Sequence, residues 1–116
     1  DTLNVVDKSK VINGIPFYSR VWCTTPDGTV SAFACGMSEA LSYLTDHGVT
    51  PQFLEDIGLN YGSYTSDKDE IWLQDATAVE EEMKLIREFD LAGVAEWKIG
   101  FESGTDIWNT ISSYLQ

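Results

Sequence analysis

Between Thr77 and Leu115 the chain carries an apolar set at helical spacing, a glycine, a short apolar strand and a second helical set. That succession limits the folds open to it. Val79, Met83, Ile86 and Phe89, with Leu85, recur so as to put one apolar stripe on a helix. Thr77-Ala78-Val79-Glu80 has the form of a capping box, and Glu80, Glu81 and Glu82 stand near the positive end of the helix dipole. Gly93 then leads into a strand from Val94 to Ile99. Ile107, Trp108, Ile111 and Leu115 share one face of a final helix over about Thr105 to Tyr114. Far upstream, after a helix end and turn at Asp7 to Lys10, Val11, Ile12 and Ile15 read as a buried strand. Its pairing fades at Pro16, which has no N–H to donate. A strand, a helix and a strand in one sheet make a right-handed crossover, with the strands parallel and the helices outside. Two parallel strands do not complete a sheet: their edges stay open and one face stays uncovered. The pattern is that of the tail of a larger α/β assembly.

A long excursion separates the two strands. Residues 23 to 36 read as turn-rich around Pro26-Asp27-Gly28. Ser38 is placed to cap a helix from Glu39 to about His47, with Ala40, Leu41 and Leu44 on one face and Gly48 as its stop. Residues 49 to 58 connect without a clear assignment. "LNYGSYT" and "EIWLQ" flank the four-residue loop Ser66-Asp67-Lys68-Asp69 as a hairpin.

Composition narrows the partners. The 116 residues suffice for one domain with a small core, and their 19 acidic and 7 basic side chains give a net charge of −12. Such a balance disfavours nucleic acid and anionic membrane surfaces, both of which select clustered Lys and Arg. The apolar runs fall far short of the roughly 20 residues that span a bilayer, so no membrane insertion is expected. No basic and apolar leader follows Asp1, so any signal peptide is expected to have been removed or to lie upstream. Cys23 and Cys35 allow either one disulfide or two thiols. With no C-x-x-C and with His47 as the single histidine, neither a zinc site nor a cofactor is expected. His47 falls at a helix end, away from any serine or threonine nucleophile, which argues against a hydrolytic triad.

Two stretches carry a family resemblance. "KVINGIPFYSRVW", residues 10 to 22, is similar to the seventh barrel strand of glycoside hydrolase family 18 chitinase-like enzymes, a K-[VI]-x-x-G-x-P-x-Y-[GS]-R-x-W pattern. "EIWLQDATAVEEEMKLIREFDLAGVAEWKIGFES", residues 70 to 103, resembles the stretch that follows in the same family. There an aromatic-x-x-Asp and a Ser or Thr precede the seventh helix, and a Leu-x-Gly leads into an eighth strand that carries a Trp. The two stretches resemble the branch that acts on bacterial cell-wall and spore-cortex glycans. The resemblance implies the C-terminal third of a TIM (β/α)8 barrel, whose usual size is ~250 residues. On it, residues 1–22 hold the strand 7 region, 23–74 a small α+β insertion of hairpin and short helix, and 75–116 helix 7, strand 8 and helix 8.

The same resemblance implies a secreted or cell-envelope setting and a polymer containing N-acetylglucosamine as partner. The rest of the parent barrel, or self-association, should cover the open strands. It implies no catalytic residue in this piece: the family's D-x-x-D-x-D-x-E, whose last Glu is the proton donor, does not occur. "SDKDE" has acids at 67, 69 and 70 with the wrong spacing. What the piece supplies is sugar-binding wall. Trp97 is expected to stack on a sugar's apolar face and to donate its indole N–H. Tyr18 and Arg20, at the C-terminal end of a barrel strand, can donate to sugar oxygens. Trp22 and Trp72 contact sugar or else pack the insertion against the barrel. Glu96 and Lys98 alternate with Trp97 and point away from it, Asp75 caps or orients the turn before the helix, and Trp108 reads as core. The alternatives are a non-catalytic carbohydrate-binding or wall-attachment module and a purely structural piece.

Overall fold

The computed structural model describes residues 1–64 and 68–116. In chain order the described elements are β1 (Ile12–Pro16), β2 (Ser19–Thr24), β3 (Val30–Cys35), α1 (Met37–Asp46), β4 (Gln52–Leu54), β5 (Leu59–Tyr64), β6 (Asp69–Leu73), α2 (Ala76–Phe89), β7 (Gly93–Trp97) and α3 (Asp106–Tyr114). Short 3-10 turns at Thr2–Asn4 and Lys8–Lys10 precede β1. The chain is thus mixed α/β, built around two sheets.

The first sheet is the parallel pair β1 and β7, in register from Ile12 opposite Gly93 to Pro16 opposite Trp97. Backbone bonds extend it at both ends: the Ala92 N–H donates to the Val11 carbonyl, and the Phe17 N–H donates to the Trp97 carbonyl. Helices α2 and α3 cover one face. Ile15 and Phe17 meet Val79, Met83, Ile86, Ile107 and Ile111 there, with Met37 reaching in from the start of α1. Burial of these side chains at roughly 25 cal/mol per Å² of apolar surface is what holds the pair to its helices.

The second sheet is antiparallel, in the order β3-β2-β6-β5-β4. Helix α1 lies on one face of it and buries Ala40 and Leu44 against Val21, Cys35, Tyr64, Ile71 and Leu73. Gly62 lets the helix approach this closely, since a Cβ there would lie 2.5 Å from Leu44 Cδ2. The excursion therefore has a core of its own. Polar bonds tie it to the helical layer: Asn60 Nδ2 donates to Asp75 at the start of α2, and Ser38 donates its hydroxyl to that of Ser103 ahead of α3, while within the sheet Ser19 Oγ accepts from the Gln74 N–H.

Several local expectations change. Residues 30–35, which read as turn-rich, form β3 and pair with all six residues of β2. Their side chains are exposed except Cys35, so no alternating apolar signal marked them. Strand β2 runs through residues 22 and 23, so the antiparallel sheet begins at Ser19. The unassigned stretch holds β4. Ser38 lies inside α1 and does not cap it; the N-cap is Gly36, with no side-chain bond. Helix α2 is capped by Asp75 and not by Thr77: the carboxylate accepts from the Ala78 N–H at 3.0 Å. Asp90, at φ 51°, ends that helix. Phe89 and Leu115 are exposed. Trp108 meets the core edge-on at Phe17, ring centres 5.5 Å apart, and stays 38% exposed. β5 and β6 form the hairpin, but Ser66 and Asp67 of its loop lie outside the described residues. Both cysteines are free thiols, and burial pushes Cys35 up to about 11.

Asp75 carries two duties, capping α2 and accepting from the nearly buried Asn60. Asp75→Ala should lower stability by about 1–2 kcal/mol, because it removes the cap and strands the Asn60 amide. Urea unfolding measures this, and Asp75→Asn, whose one amide oxygen keeps the cap but not the second acceptor, should restore only part of the loss.

Candidate functional site

Alternation along the parallel pair decides what each face carries. Ile15 and Val94 turn toward the helices, so Gly14, Pro16, Ala95 and Trp97 share the opposite face. No described element covers that face. Its floor is nearly bare, since a Cβ built on Gly14 meets nothing within 4 Å. Trp97 stands over it 68% exposed, well away from the buried cluster of Met83, Ile86 and Ile111 on the helix side. The peptide bond from Trp97 to Lys98 is cis, and the Lys98 ammonium lies 4.9 Å from the centre of the Phe101 ring.

The result is a trough of about 540 Å³ lined by Gly14, Pro16, Tyr18, Ala95 and Trp97, with Ile15 and Glu96 at the strand backbones. It offers a flat apolar surface, one indole N–H and one phenol. A ligand with an apolar face and a hydroxyl-bearing rim suits such a surface. General acid catalysis needs a proton donor within hydrogen-bond reach of the reacting atom. Glu96 is the only carboxylate among the lining residues, and strand alternation turns it toward the helices.

The five residues singled out from the sequence divide into two groups. Trp97 and Tyr18 meet in the trough. Arg20, Trp22 and Trp72 do not line it; they lie on the antiparallel sheet, on the face away from α1. Arg20 pairs with Trp72 across the strands, and its guanidinium carbon lies 5.9 Å from the Trp22 ring centre. Tyr61, not singled out from the sequence, joins this second group. Its ring centre is 4.8 Å from that of Trp72. The hairpin register held the signal, since Tyr61 falls opposite Trp72 once β5 and β6 are paired.

In sequence and in structure the chain is similar to family 18 chitinase-like proteins, consistent with a C-terminal fragment of such a protein. It is 25% identical over 103 residues to the cortical fragment-lytic enzyme of Bacillus subtilis (strain 168), covering 84% of this chain and 24% of that enzyme. The spore cortex-lytic enzyme of Bacillus megaterium QM B1551 superposes with a TM-score of 0.82 at 25% identity, over 97% of this chain and 27% of that one. A mutant GH18 chitinase of Cycas revoluta in complex with (GlcNAc)4 superposes with a TM-score of 0.79 over 99% of this chain and 36% of that one. At 17% identity it shows the fold. The chain spans about a quarter of the length of the two Bacillus enzymes. No protein-family model matches it.

One carboxyl outside the trough is strongly perturbed. Glu82 sits on α2 beside an open pocket lined by Ile57, Gly58, Leu59, Glu81 and Leu85, and accepts from Gln74 Nε2 at 2.9 Å. Burial pushes it up from 4.5 to about 7, against the opposing effect of that hydrogen bond. The folded chain therefore favours neutral Glu82. The stability this preference supplies is complete below about pH 4.5 and is lost as pH rises through about 7. Glu82→Gln should leave stability unchanged near pH 4 and raise it by about 1–3 kcal/mol near pH 8. Thermal melts of the two proteins across that range measure the difference.

Proposed function

We propose that this chain is the sugar-binding wall of a glycosidase acting on β-linked polymers that contain N-acetylglucosamine, of the chitin or peptidoglycan type. In this reading β1 and β7 are the seventh and eighth strands of a (β/α)8 barrel, and residues 23–74 belong to an insertion between them. The uncovered face of the pair is the barrel's interior, met by the remaining strands or, in their absence, by a second copy. Trp97 is the platform on which a sugar ring stacks, and Tyr18 donates to its hydroxyls. The place of Trp97 at the C-terminal end of β7, over a bare strand floor, carries this reading, because barrels of this kind set their sites at the C-terminal ends of their strands. A Cycas revoluta chitinase of the same fold is recorded in complex with (GlcNAc)4, which supports the ligand class. The cortical fragment-lytic enzyme supports a cell-wall polymer and an extracellular or envelope setting.

The alternative, a carbohydrate-binding module without catalysis, shares the same platform; the two readings differ in whether the remaining strands of the barrel carry the D-x-x-D-x-D-x-E acid, which does not occur in these 116 residues. In both readings the 116 residues bind sugar and do not cleave it. General acid catalysis typically contributes 10²–10⁴ in rate, and no positioned acid faces the trough.

Calorimetry of the chain with N-acetylglucosamine oligomers tests the platform. Trp97→Ala should weaken binding roughly 30-fold, the equivalent of about 2 kcal/mol of lost ring burial. Its melting temperature should fall only a few degrees. Truncating a tryptophan packed in a core would instead cost roughly 3–5 kcal/mol of folding stability. Unchanged affinity with a collapse in stability would overturn the proposal. So would turnover of the oligomer that disappears when one of the chain's own carboxylates is replaced.

A further inference from the structure

Trp97 ends β7 largely open to solvent, so packing does little to hold its ring and the backbone around it sets where it stands. Toward β1, the Trp97 carbonyl accepts from the Phe17 N–H at 2.7 Å. Beyond it a turn follows at once. The Phe101 N–H donates to the Lys98 carbonyl at 3.2 Å, across Gly100 at φ 98°, a conformation that glycine takes without strain. The Lys98 ammonium lies against the Phe101 ring, so main chain and side chain both tie Phe101 back to the residue next to Trp97.

Helix α1 holds this turn in place. Among the described residues, the hydrogen bonds that leave residues 98–103 run to its first turn. The Met37 N–H donates to the Phe101 carbonyl at 2.8 Å, and the Ser38 hydroxyl donates to that of Ser103 at 2.8 Å. The first N–H groups of a helix have no partner inside it, and the N-cap Gly36 has no side chain to supply one. The Phe101 carbonyl satisfies the first of them. It comes so close that a Cβ on Gly36 would lie 3.3 Å from its oxygen and 3.6 Å from the Phe101 Cα. Phe101 also packs against the cluster that Met37 enters.

We propose that Gly36 and Phe101 are positioning residues for the trough: the N-terminus of α1 grips the turn after β7 and thereby fixes the pose of Trp97. The consequence for a ligand rests on the trough being a sugar site; the consequence for Trp97 itself does not. Capping alone does not account for Gly36. Ser, Asn and Asp serve at least as well at an N-cap and add a side-chain oxygen for the helix. The approach of Phe101 is the demand that excludes them. A Cβ there pushes the carbonyl away by a few tenths of an ångström, and sites hold their working geometry to within about 0.5 Å.

Nitrogen-labelled spectra of the ligand-free 116-residue chain, with calorimetry against (GlcNAc)2, test the brace. Gly36→Ser adds a capping oxygen, so its melting temperature should hold level or rise slightly. The Trp97 indole N–H signal should nonetheless shift without any sugar present, while that of Trp22 stays in place. Affinity for (GlcNAc)2 should fall about fivefold, scaled from the ~100-fold that a 1 Å misplacement costs an active site. Ser103→Ala removes the second bond and leaves the cap untouched; it should move the same signal in smaller measure, and it serves where Gly36→Ser does not fold. A Trp97 signal that stays still in both variants overturns the brace, and a fall in melting temperature alongside marks Gly36 as a structural contact alone. A shifted signal with affinity unchanged overturns its part in binding. A shifted signal in a chain whose parent binds no (GlcNAc)2 upholds the brace and overturns the sugar platform instead.

Discussion

Everything in this chain hangs on the parallel pairing of β1 with β7. Residues 17 to 92 lie between the two strands, so the pairing closes a long loop before its own hydrogen bonds repay the lost chain entropy. The helices supply what those bonds cannot. Val79, Met83 and Ile86 on α2, with Ile107 and Ile111 on α3, press Ile15 and Phe17 from one side and fix which face of each strand is buried. Side-chain alternation then leaves Gly14, Pro16, Ala95 and Trp97 for the other side. The exposure of Trp97 is a consequence of register: a slip by one residue would turn it into the helices and put Glu96 in its place.

The antiparallel sheet depends on that arrangement in turn. It has its own core under α1, and its attachments to the rest include the side-chain hydrogen bonds from Asn60 to Asp75 and from Ser38 to Ser103 as well as the reach of Met37 into the neighbouring cluster. Hydrogen bonds of this kind fix orientation more than they add stability, each contributing a net of about 1 kcal/mol. Orientation is what matters here, because Tyr18, at the root of β2, is where the trough passes into the sheet that bears Arg20 and Trp22. The Gln74–Glu82 bond lies along the same junction, where burial pushes the Glu82 carboxyl up to about 7.

The sequence was legible where period and function coincide. Helical spacing located α2 and α3, and strand–helix–strand order gave the parallel pair with one face open. The resemblance pointed to Trp97 and Tyr18. It was silent where tertiary pairing overrides local pattern. Residues 30–35 lack an alternating apolar signal because they form an edge strand whose side chains are mostly exposed, and only pairing with β2 reveals them. Ser38 and Thr77 fit capping rules two residues inside the N-caps that the structure uses, Gly36 and Asp75, and of these the sequence marks only Asp75 as a cap. The resemblance groups Arg20 and Trp72 with Trp97, while β2 and β6 carry them to a different face. Tyr61 shows the same limit: it takes meaning only from the ring opposite it.

The most direct test of Trp97 as a sugar platform uses the four indole N–H signals that the chain's tryptophans give in nitrogen-labelled spectra. On titration with (GlcNAc)2, the Trp97 indole should shift first and furthest, and the Trp108 indole, set against Phe17 on the helix side, should stay still. A Trp97 signal that does not move while the dimer binds elsewhere would contradict the assignment of the trough as the sugar site.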